Sequence, residues 1–186
     1  MSDIKQKRCQ SCKELFTPVR RGLSVSKTCS LECDKAAPKK EKPKKKKEKT
    51  AAYLKVKVLW PIFSRYIKLK HSSDGRHCNC YTCGALLEIG TINCQGGHAV
   101  SKAVYKNLYF DERAVKPQCL SCNKHYGGMS YDFCKKLKHE LGEEDFENMM
   151  SHGRDIIKRD RQWYLDAILE YTEKVKELEL SKCKEV

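Results

Sequence analysis

Apolar residues recur at helical spacing in two parts of the chain. Between residues 51 and 70 they follow steps of 3, 4 and 1, which are typical of a helix, and Pro61 allows a break or a fresh start near Trp60. After Gly153 a second stripe predicts a long helix: Ile157, Tyr164, Ile168, Tyr171, Val175 and Leu178. This stripe suits packing onto its own domain somewhat better than a homodimer contact.

The stretch between these helices has a different pattern. Glycines interrupt residues 71–130, where 86–92 predicts a short strand before His98, and a helix or turn is expected at 123–125. Two further helices are predicted at 131–141 and 143–151. Short strands followed by helices predict a small α+β protein.

Charge is concentrated in one window of the chain. The net charge is +14, and residues 35–70 hold 14 basic and 2 acidic side chains. Such a tract favours a polyanion partner such as nucleic acid, although a solvated lysine linker has the same composition. Within the window, residues 35–50 carry Pro38 and Pro43 and no apolar periodicity, so we expect a disordered linker.

Twelve cysteines and the absence of an apolar leader shape the expected compartment. Residues 1–8 are polar and basic, and no apolar run reaches the roughly 20 residues that span a bilayer. We therefore expect an intracellular protein, with reduced thiols that bind zinc rather than form a disulfide scaffold.

The cysteine spacing predicts two zinc sites. Cys80 and Cys83 with Cys119 and Cys122 form two C-x-x-C pairs around a 35-residue segment. A second set, Cys9, Cys12, Cys29 and Cys33, predicts a zinc-ribbon-like knuckle in residues 1–34 whose folding depends on the metal. Four cysteines remain, Cys78, Cys94, Cys134 and Cys183, and Cys78 is an alternative to Cys80 that the C-x-x-C spacing disfavours.

His98 and Asn123 are the candidate catalytic residues. His98 follows two glycines between the cysteine pairs, and a histidine that is mostly neutral near pH 7 can act as a general base. Asn123 directly follows Cys122, so its amide oxygen can bind a hard cation such as Mg²⁺ or Mn²⁺; a helix N-cap is the competing role. His125 and Asp111 are further candidate ligands of that metal, and Glu112 is the other nearby acidic residue.

Basic residues on the predicted first helix and around the cysteine pairs are candidate phosphate contacts. They are Lys55, Lys57, Arg65, Lys68, Lys70, Lys102, Lys106, Arg113, Lys116 and Lys124. Each alone also fits an ordinary surface charge.

Several motifs together resemble the NinG (Rap) recombination proteins of lambdoid phages. They are the 80–84, 97–98, 109–112, 116–123 and 127–128 strings, the 60–67 string and the N-terminal cysteine pattern. This resemblance implies a nuclease for branched DNA such as D-loops and Holliday-type junctions, and a location in the host-cell cytoplasm. The Cys-x-x-Cys…His…Cys-x-x-Cys-Asn order is also similar to endonuclease VII-like enzymes with a ββα-metal (HNH, treble-clef-like) core, which implies that His98 is the base and Asn123 a metal ligand.

Two positions depart from these patterns. Endonuclease VII-like sites have Asp immediately before the histidine, where this chain has Gly97, and NinG-like sequences usually have Asn where this chain has Ala114. The metal-binding carboxylate is thus unidentified in the sequence.

The expected domains are a zinc knuckle at 1–34, a linker at 35–50, a nuclease core at 51–130 and helices at 131–186.

Three hypotheses follow for the function. The leading one is a zinc-scaffolded, Mg²⁺-dependent endonuclease for branched DNA. The others are a zinc-bearing DNA-binding module without catalysis, which Gly97 and Ala114 suggest, and a sequence-specific HNH nuclease.

Overall fold

A computed structural model describes residues 6–18, 20–21, 24–36 and 48–183. The chain divides into two units, Met1–Lys47 and Glu48–Val186. Most of the predicted linker, residues 37–47, lies outside the described residues.

The N-terminal unit consists of two short hairpins and one helix. Strand β1 (Lys7–Arg8) pairs with β2 (Leu15–Phe16), and β3 (Arg20–Arg21) pairs with β4 (Ser24–Val25), both antiparallel. Helix α1 (Leu31–Ala36) has no buried residue. Among the described residues of this unit, Cys9 is the only buried apolar side chain, so burial of apolar surface contributes little to its stability.

The first helical stretch of the second unit is continuous. Helix α2 (Ala51–Tyr53) is capped by the Thr50 hydroxyl, which accepts from the Tyr53 N–H. A π-helical segment, Leu54–Leu59, leads directly into α3 (Trp60–Lys70). The irregularity that Pro61 predicts is thus a change of helix type just before the proline, which lies in the first turn of α3.

Two short antiparallel hairpins follow. Strand β5 (His77–Asn79) pairs with β6 (Leu86–Glu88), and β7 (Cys94–His98) pairs with β8 (Val115–Cys119). The strand predicted at 86–92 is therefore shorter than expected, and His98 is itself the last residue of a strand. A 3-10 helix, Lys106–Phe110, lies between β7 and β8, and a second π-helical segment, Ser121–His125, follows β8.

Three helices complete the chain: α4 (Ser130–Leu141), α5 (Glu143–Gly153) and α6 (Arg161–Cys183). Gly142 separates α4 from α5 at φ +86°, a conformation that glycine adopts without strain. Helix α6 begins later than the apolar stripe predicts, because Ile157 lies in the preceding loop and is exposed.

The core of the second unit lies between α3 and α6. Phe63 and Ile67 are fully buried there and pack with Tyr164 and Tyr171 of α6. The C-terminal stripe therefore packs onto its own unit. A separate cluster joins α4 and α5 through Phe133, Leu137 and Met149. No helix among the described residues is long and apolar enough to cross a membrane.

Candidate functional site

Four cysteines of the second unit converge on one point. The sulfur atoms of Cys80, Cys83, Cys119 and Cys122 all lie within 4.8 Å of one another. The first two come from the loop between β5 and β6, and the other two from the end of β8 and the π-helical segment after it. Four thiolates are a donor set that Zn²⁺ prefers, so the residues fit a structural zinc site.

Backbone hydrogen bonds prepare this cluster for metal. Burial disfavours the Cys80 thiolate, but donation to its sulfur, including that from the Cys119 N–H at 3.3 Å, lowers its pKa to about 6. The Cys122 N–H similarly lies 3.3 Å from the Cys119 sulfur. Because metals bind the thiolate form, these donors stabilise Cys80 in its metal-binding form, whereas burial raises the pKa of Cys122 to about 12.

The N-terminal unit holds the second cluster. Cys9, Cys12, Cys29 and Cys33 also place their sulfur atoms within 4.8 Å of one another. Both predicted ligand sets are thus assembled, and each matches the zinc donor chemistry.

The cysteines outside these clusters have other neighbours. Cys78 and Cys94 are buried with their sulfur atoms 3.5 Å apart, and Cys134 donates to the Ala99 carbonyl. The assignment of Cys80 rather than Cys78 to the four-cysteine cluster is confirmed. The side chain of Cys183 lies outside the described residues.

One hydrogen bond sets the protonation pattern of His98. Its Nε2 lies 3.2 Å from the backbone carbonyl oxygen of Tyr109. Because a carbonyl only accepts, Nε2 carries the hydrogen and Nδ1 keeps its lone pair. The Trp60 indole stacks on the imidazole, with ring centroids 4.8 Å apart, and holds the plane of the ring.

The surroundings of His98 keep the imidazole neutral. Burial and, to a smaller extent, the positive charges of Lys102 and Lys55 lower its pKa to about 4, although the bond to Tyr109 opposes this shift. The lone pair of Nδ1 is therefore available for a proton across the neutral pH range.

Asn123 is oriented by a short relay of amides. Its Nδ2 donates to Gln95 Oε1 at 2.7 Å, and Gln95 Nε2 donates to the Ile92 carbonyl at 3.1 Å. With Nδ2 engaged, Oδ1 is the atom that can coordinate a cation. Asn123 lies inside the π-helical segment, whose N-cap is Leu120, so the competing N-cap role is wrong. Sequence reasoning missed Gln95, a polar residue that directly precedes the two glycines before His98.

A single cleft brings the two candidate catalytic residues together. It has a volume of about 420 Å³ and lies between α3, β7 and the π-helical segment after β8. Its lining includes Trp60, Ser64, Lys68, Gln95, His98, Lys102, Asn123 and Lys124. Among the described residues, no Asp or Glu lines this cleft.

The acidic candidates are engaged elsewhere. Asp111 forms an ion pair with Arg113 at 2.7 Å, and Glu112 accepts from Lys70 and from the Tyr66 hydroxyl. His125 is exposed and is not among the residues that line the cleft. The structure therefore does not bring Asp111 or His125 into one site with Asn123.

Gly97 and Ala114 each have a packing reason. A Cβ at Gly97 would lie 1.8 Å from Oε1 of Gln118, which is fully buried. Ala114 is buried, and its carbonyl accepts from the Ala99 N–H just after His98. The carbonyl of Tyr109, rather than a side chain at position 114, orients the imidazole.

The predicted phosphate contacts separate into two groups. Lys68, Lys102 and Lys124 line the cleft, Lys55 and Lys106 lie close by, and Lys57 is exposed. Arg65, Lys70 and Arg113 form ion pairs with Glu179, Glu112 and Asp111. The prediction that Lys116 is a phosphate contact at the surface is wrong, because its ammonium is buried and pairs with Glu140 at 2.7 Å.

Comparison with known protein families identifies the family to which this chain belongs. Residues 55–181 match the family described as "Bacteriophage Lambda NinG protein". The chain belongs to the NinG family. The match covers the four-cysteine cluster of the second unit, His98 and Asn123, whereas the N-terminal cysteine cluster lies before it.

Individual NinG proteins are similar over different lengths. Protein ninG of Enterobacteria phage H19B is 26% identical over 178 residues, which cover 83% of this chain and 85% of that protein. Protein ninG of Escherichia phage lambda is 28% identical over 112 residues, or 58% of this chain and 50% of that protein. Protein ninG of Escherichia phage 933W is 31% identical over 80 residues, 42% of this chain and 38% of that protein. No solved structure matches this chain.

Proposed function

We propose that this protein is a metal-dependent endonuclease with an HNH-like core that cleaves branched DNA during phage-type recombination. The observation that carries the proposal is the bond from His98 Nε2 to the Tyr109 carbonyl, which leaves Nδ1 as the basic atom of a side chain that lines the same cleft as Asn123. A neutral, oriented imidazole beside an amide oxygen ligand is an arrangement suited to phosphodiester hydrolysis.

In this mechanism His98 removes a proton from water. The water oxygen forms a bond to phosphorus, the bond from phosphorus to the leaving deoxyribose oxygen breaks, and the Nδ1 atom holds the proton removed. The Tyr109 carbonyl stabilises the resulting imidazolium by accepting from Nε2. Asn123 Oδ1 would hold a divalent cation such as Mg²⁺ or Mn²⁺, whose chemistry is Lewis-acid stabilisation of the leaving oxygen. The four-cysteine cluster would hold zinc and fix the backbone of Asn123.

Branched DNA is the substrate that membership of the NinG family supports, since the motif resemblance implies D-loops and Holliday-type junctions. The basic residues that line the cleft support a polyanionic substrate in general. They do not distinguish branched from linear DNA, so the substrate has to be tested directly.

The test is cleavage of a synthetic four-way junction, a D-loop and a linear duplex of the same sequence with Mg²⁺. We expect the wild type to cut the branched forms preferentially, and His98→Ala to lose about 100-fold or more in rate. His139→Ala is the matched control, because this exposed histidine lies away from the cleft, and it should cut normally. Equal rates for the wild type and His98→Ala would remove His98 from the mechanism.

A second candidate is a DNA-binding recombination accessory protein without catalysis. The lack of an acidic residue among the described residues that line the cleft favours it. Salt-dependent junction binding with no cleavage in Mg²⁺ or Mn²⁺ would support this alternative. Preferential cutting of the linear duplex would instead favour a sequence-specific HNH nuclease.

A further inference from the structure

Two lysines lie beside the ring of Tyr109, Lys106 belongs to the same 3-10 helix as Tyr109, and Arg159 donates to Asn107 of that helix. We call Lys55, Lys102, Lys106 and Arg159 the Tyr109 cation cluster. The ammonium of Lys55 lies 4.1 Å from the centroid of the Tyr109 ring, and that of Lys102 lies 5.9 Å from it. The face of an aromatic ring attracts cations, so Tyr109 holds these two side chains near each other.

The members of this cluster repel one another. Burial and the positive charges of Arg159, Lys102 and Lys106 lower the pKa of Lys55. Within the described ranges, none of the four forms an ion pair with a carboxylate, although eleven ion pairs occur elsewhere. Four unneutralised cations at one place destabilise the free protein and favour an anionic ligand.

Arg159 is held in place by neutral groups only. Its Nη2 donates to Asn107 Oδ1 at 2.9 Å, and its guanidinium lies 4.4 Å from the centroid of the Trp163 ring. Asp166 and Glu170 line the same hollow, but Gln162 donates to the first and Lys174 pairs with the second. The guanidinium is thus positioned without being neutralised, as a phosphate contact requires.

The cluster adjoins the candidate base through one residue. The carbonyl of Tyr109 accepts from His98, while its ring faces Lys55 and Lys102. Lys102 also lines the cleft that contains His98 and Asn123. A strand that contacts His98 can therefore continue to the cluster, since a DNA strand carries a phosphate at every nucleotide.

We propose that the Tyr109 cation cluster binds the phosphates of the DNA strand that passes His98, and that Arg159 brings the segment between α5 and α6 into the DNA-binding surface. This inference rests on the proposed function for its choice of ligand. It adds a residue from the C-terminal part of the chain, which is acidic overall, to the contacts that sequence patterns predict.

The test is the binding of a four-way junction without divalent metal, measured as a function of salt between about 50 and 200 mM. We expect Arg159→Gln to raise Kd about 5-fold and to reduce the slope of log K against log salt by about 1. Arg159→Lys should keep the wild-type slope, because it keeps the charge. Lys176→Gln is the matched control, since this exposed lysine on α6 loses the same charge away from the cluster.

Two results would overturn the inference. One is wild-type affinity and slope in Arg159→Gln. The other is weaker binding with an unchanged slope and a lower melting temperature, which would give Arg159 a structural role. The binding assay is independent of cleavage. Binding that depends on Arg159 without any cleavage would refute the proposed nuclease function alone. Cleavage with binding that does not depend on Arg159 would refute the role of the Tyr109 cation cluster alone.

Discussion

The side chain of Gln118 occupies the space beside Gly97 that any larger residue would need. A Cβ at position 97 would lie 1.8 Å from Gln118 Oε1 and 2.9 Å from its Cγ. Gln118 is held there by donation from Nε2 to the Gly128 carbonyl at 2.9 Å. The glycine before the candidate base is therefore a packing requirement of this protein, and an aspartate at that position is sterically excluded.

This relationship predicts coupling between the two positions. Gly97→Ala should destabilise the protein by about 1–3 kcal/mol, because the buried amide cannot move without losing its bond. Gln118→Ala should destabilise the protein too. In the double variant the loss of stability should be about 1 kcal/mol smaller than the sum of the two single losses, because the contact between the two side chains is then absent. Urea unfolding of the four proteins measures this, and strict additivity would show that the contact is unimportant.

Stacking by Trp60 predicts an effect on the acidity of His98. Trp60→Ala exposes the imidazole to water, and burial is the largest cause of its lowered pKa. We expect the pKa of His98 to rise from about 4 toward its ordinary value of 6.5. Titration of the imidazole signals by NMR would measure the shift, with Trp163→Ala as the control variant that leaves His98 unchanged.

The same pKa predicts how stability changes with pH. Between pH 6.5 and about 4 the unfolded chain binds a proton at His98 that the folded chain does not, so the stability falls as the pH decreases through this range. The loss from this residue should total about 3 kcal/mol. Zinc release in acid adds to the loss, so the measurement is the difference between the wild type and His98→Gln. Parallel stability curves for the two proteins would contradict the prediction.

Cleavage, if His98 is the base, should tolerate mild acid. A histidine with a pKa of about 4 is almost entirely neutral at pH 6, whereas one with its ordinary pKa would lose about 4-fold in active base between pH 7.5 and 6. We expect the single-turnover rates at these two pH values to agree within about 2-fold at saturating metal. A steep fall in rate centred near pH 6.5 would contradict a base whose pKa is about 4.

Sequence spacing was sufficient for the residues that local geometry controls. The spacing of the cysteines predicts both four-cysteine clusters. His98 is a candidate because it follows two glycines between the C-x-x-C pairs, and Asn123 because it directly follows the last cysteine. Contacts between distant segments were not visible in the same way. Lys116 resembles a surface lysine until the fold places Glu140 beside it, and Gln95 has meaning only once β7 lies against Asn123.

Metal content separates the two cysteine clusters. We expect two zinc ions per chain by elemental analysis, and one each in Cys12→Ser and Cys83→Ser. Cys83→Ser should unfold the second unit, because structural zinc contributes on the order of 10 kcal/mol, whereas Cys12→Ser should leave the α3–α6 core folded. Cys134→Ser, which alters a thiol outside both clusters, should keep both ions. Full zinc content in Cys83→Ser would contradict the ligand assignment.

The chain has two tryptophans, and each lies against a residue with a proposed role, either the candidate base or a proposed phosphate contact. Trp60 stacks on His98, and Trp163 lies under the guanidinium of Arg159. The protein therefore carries an intrinsic optical reporter at each place. Its ultraviolet emission, resolved with Trp60→Phe and Trp163→Phe, distinguishes events at the base from events at the neighbouring cations without any attached dye.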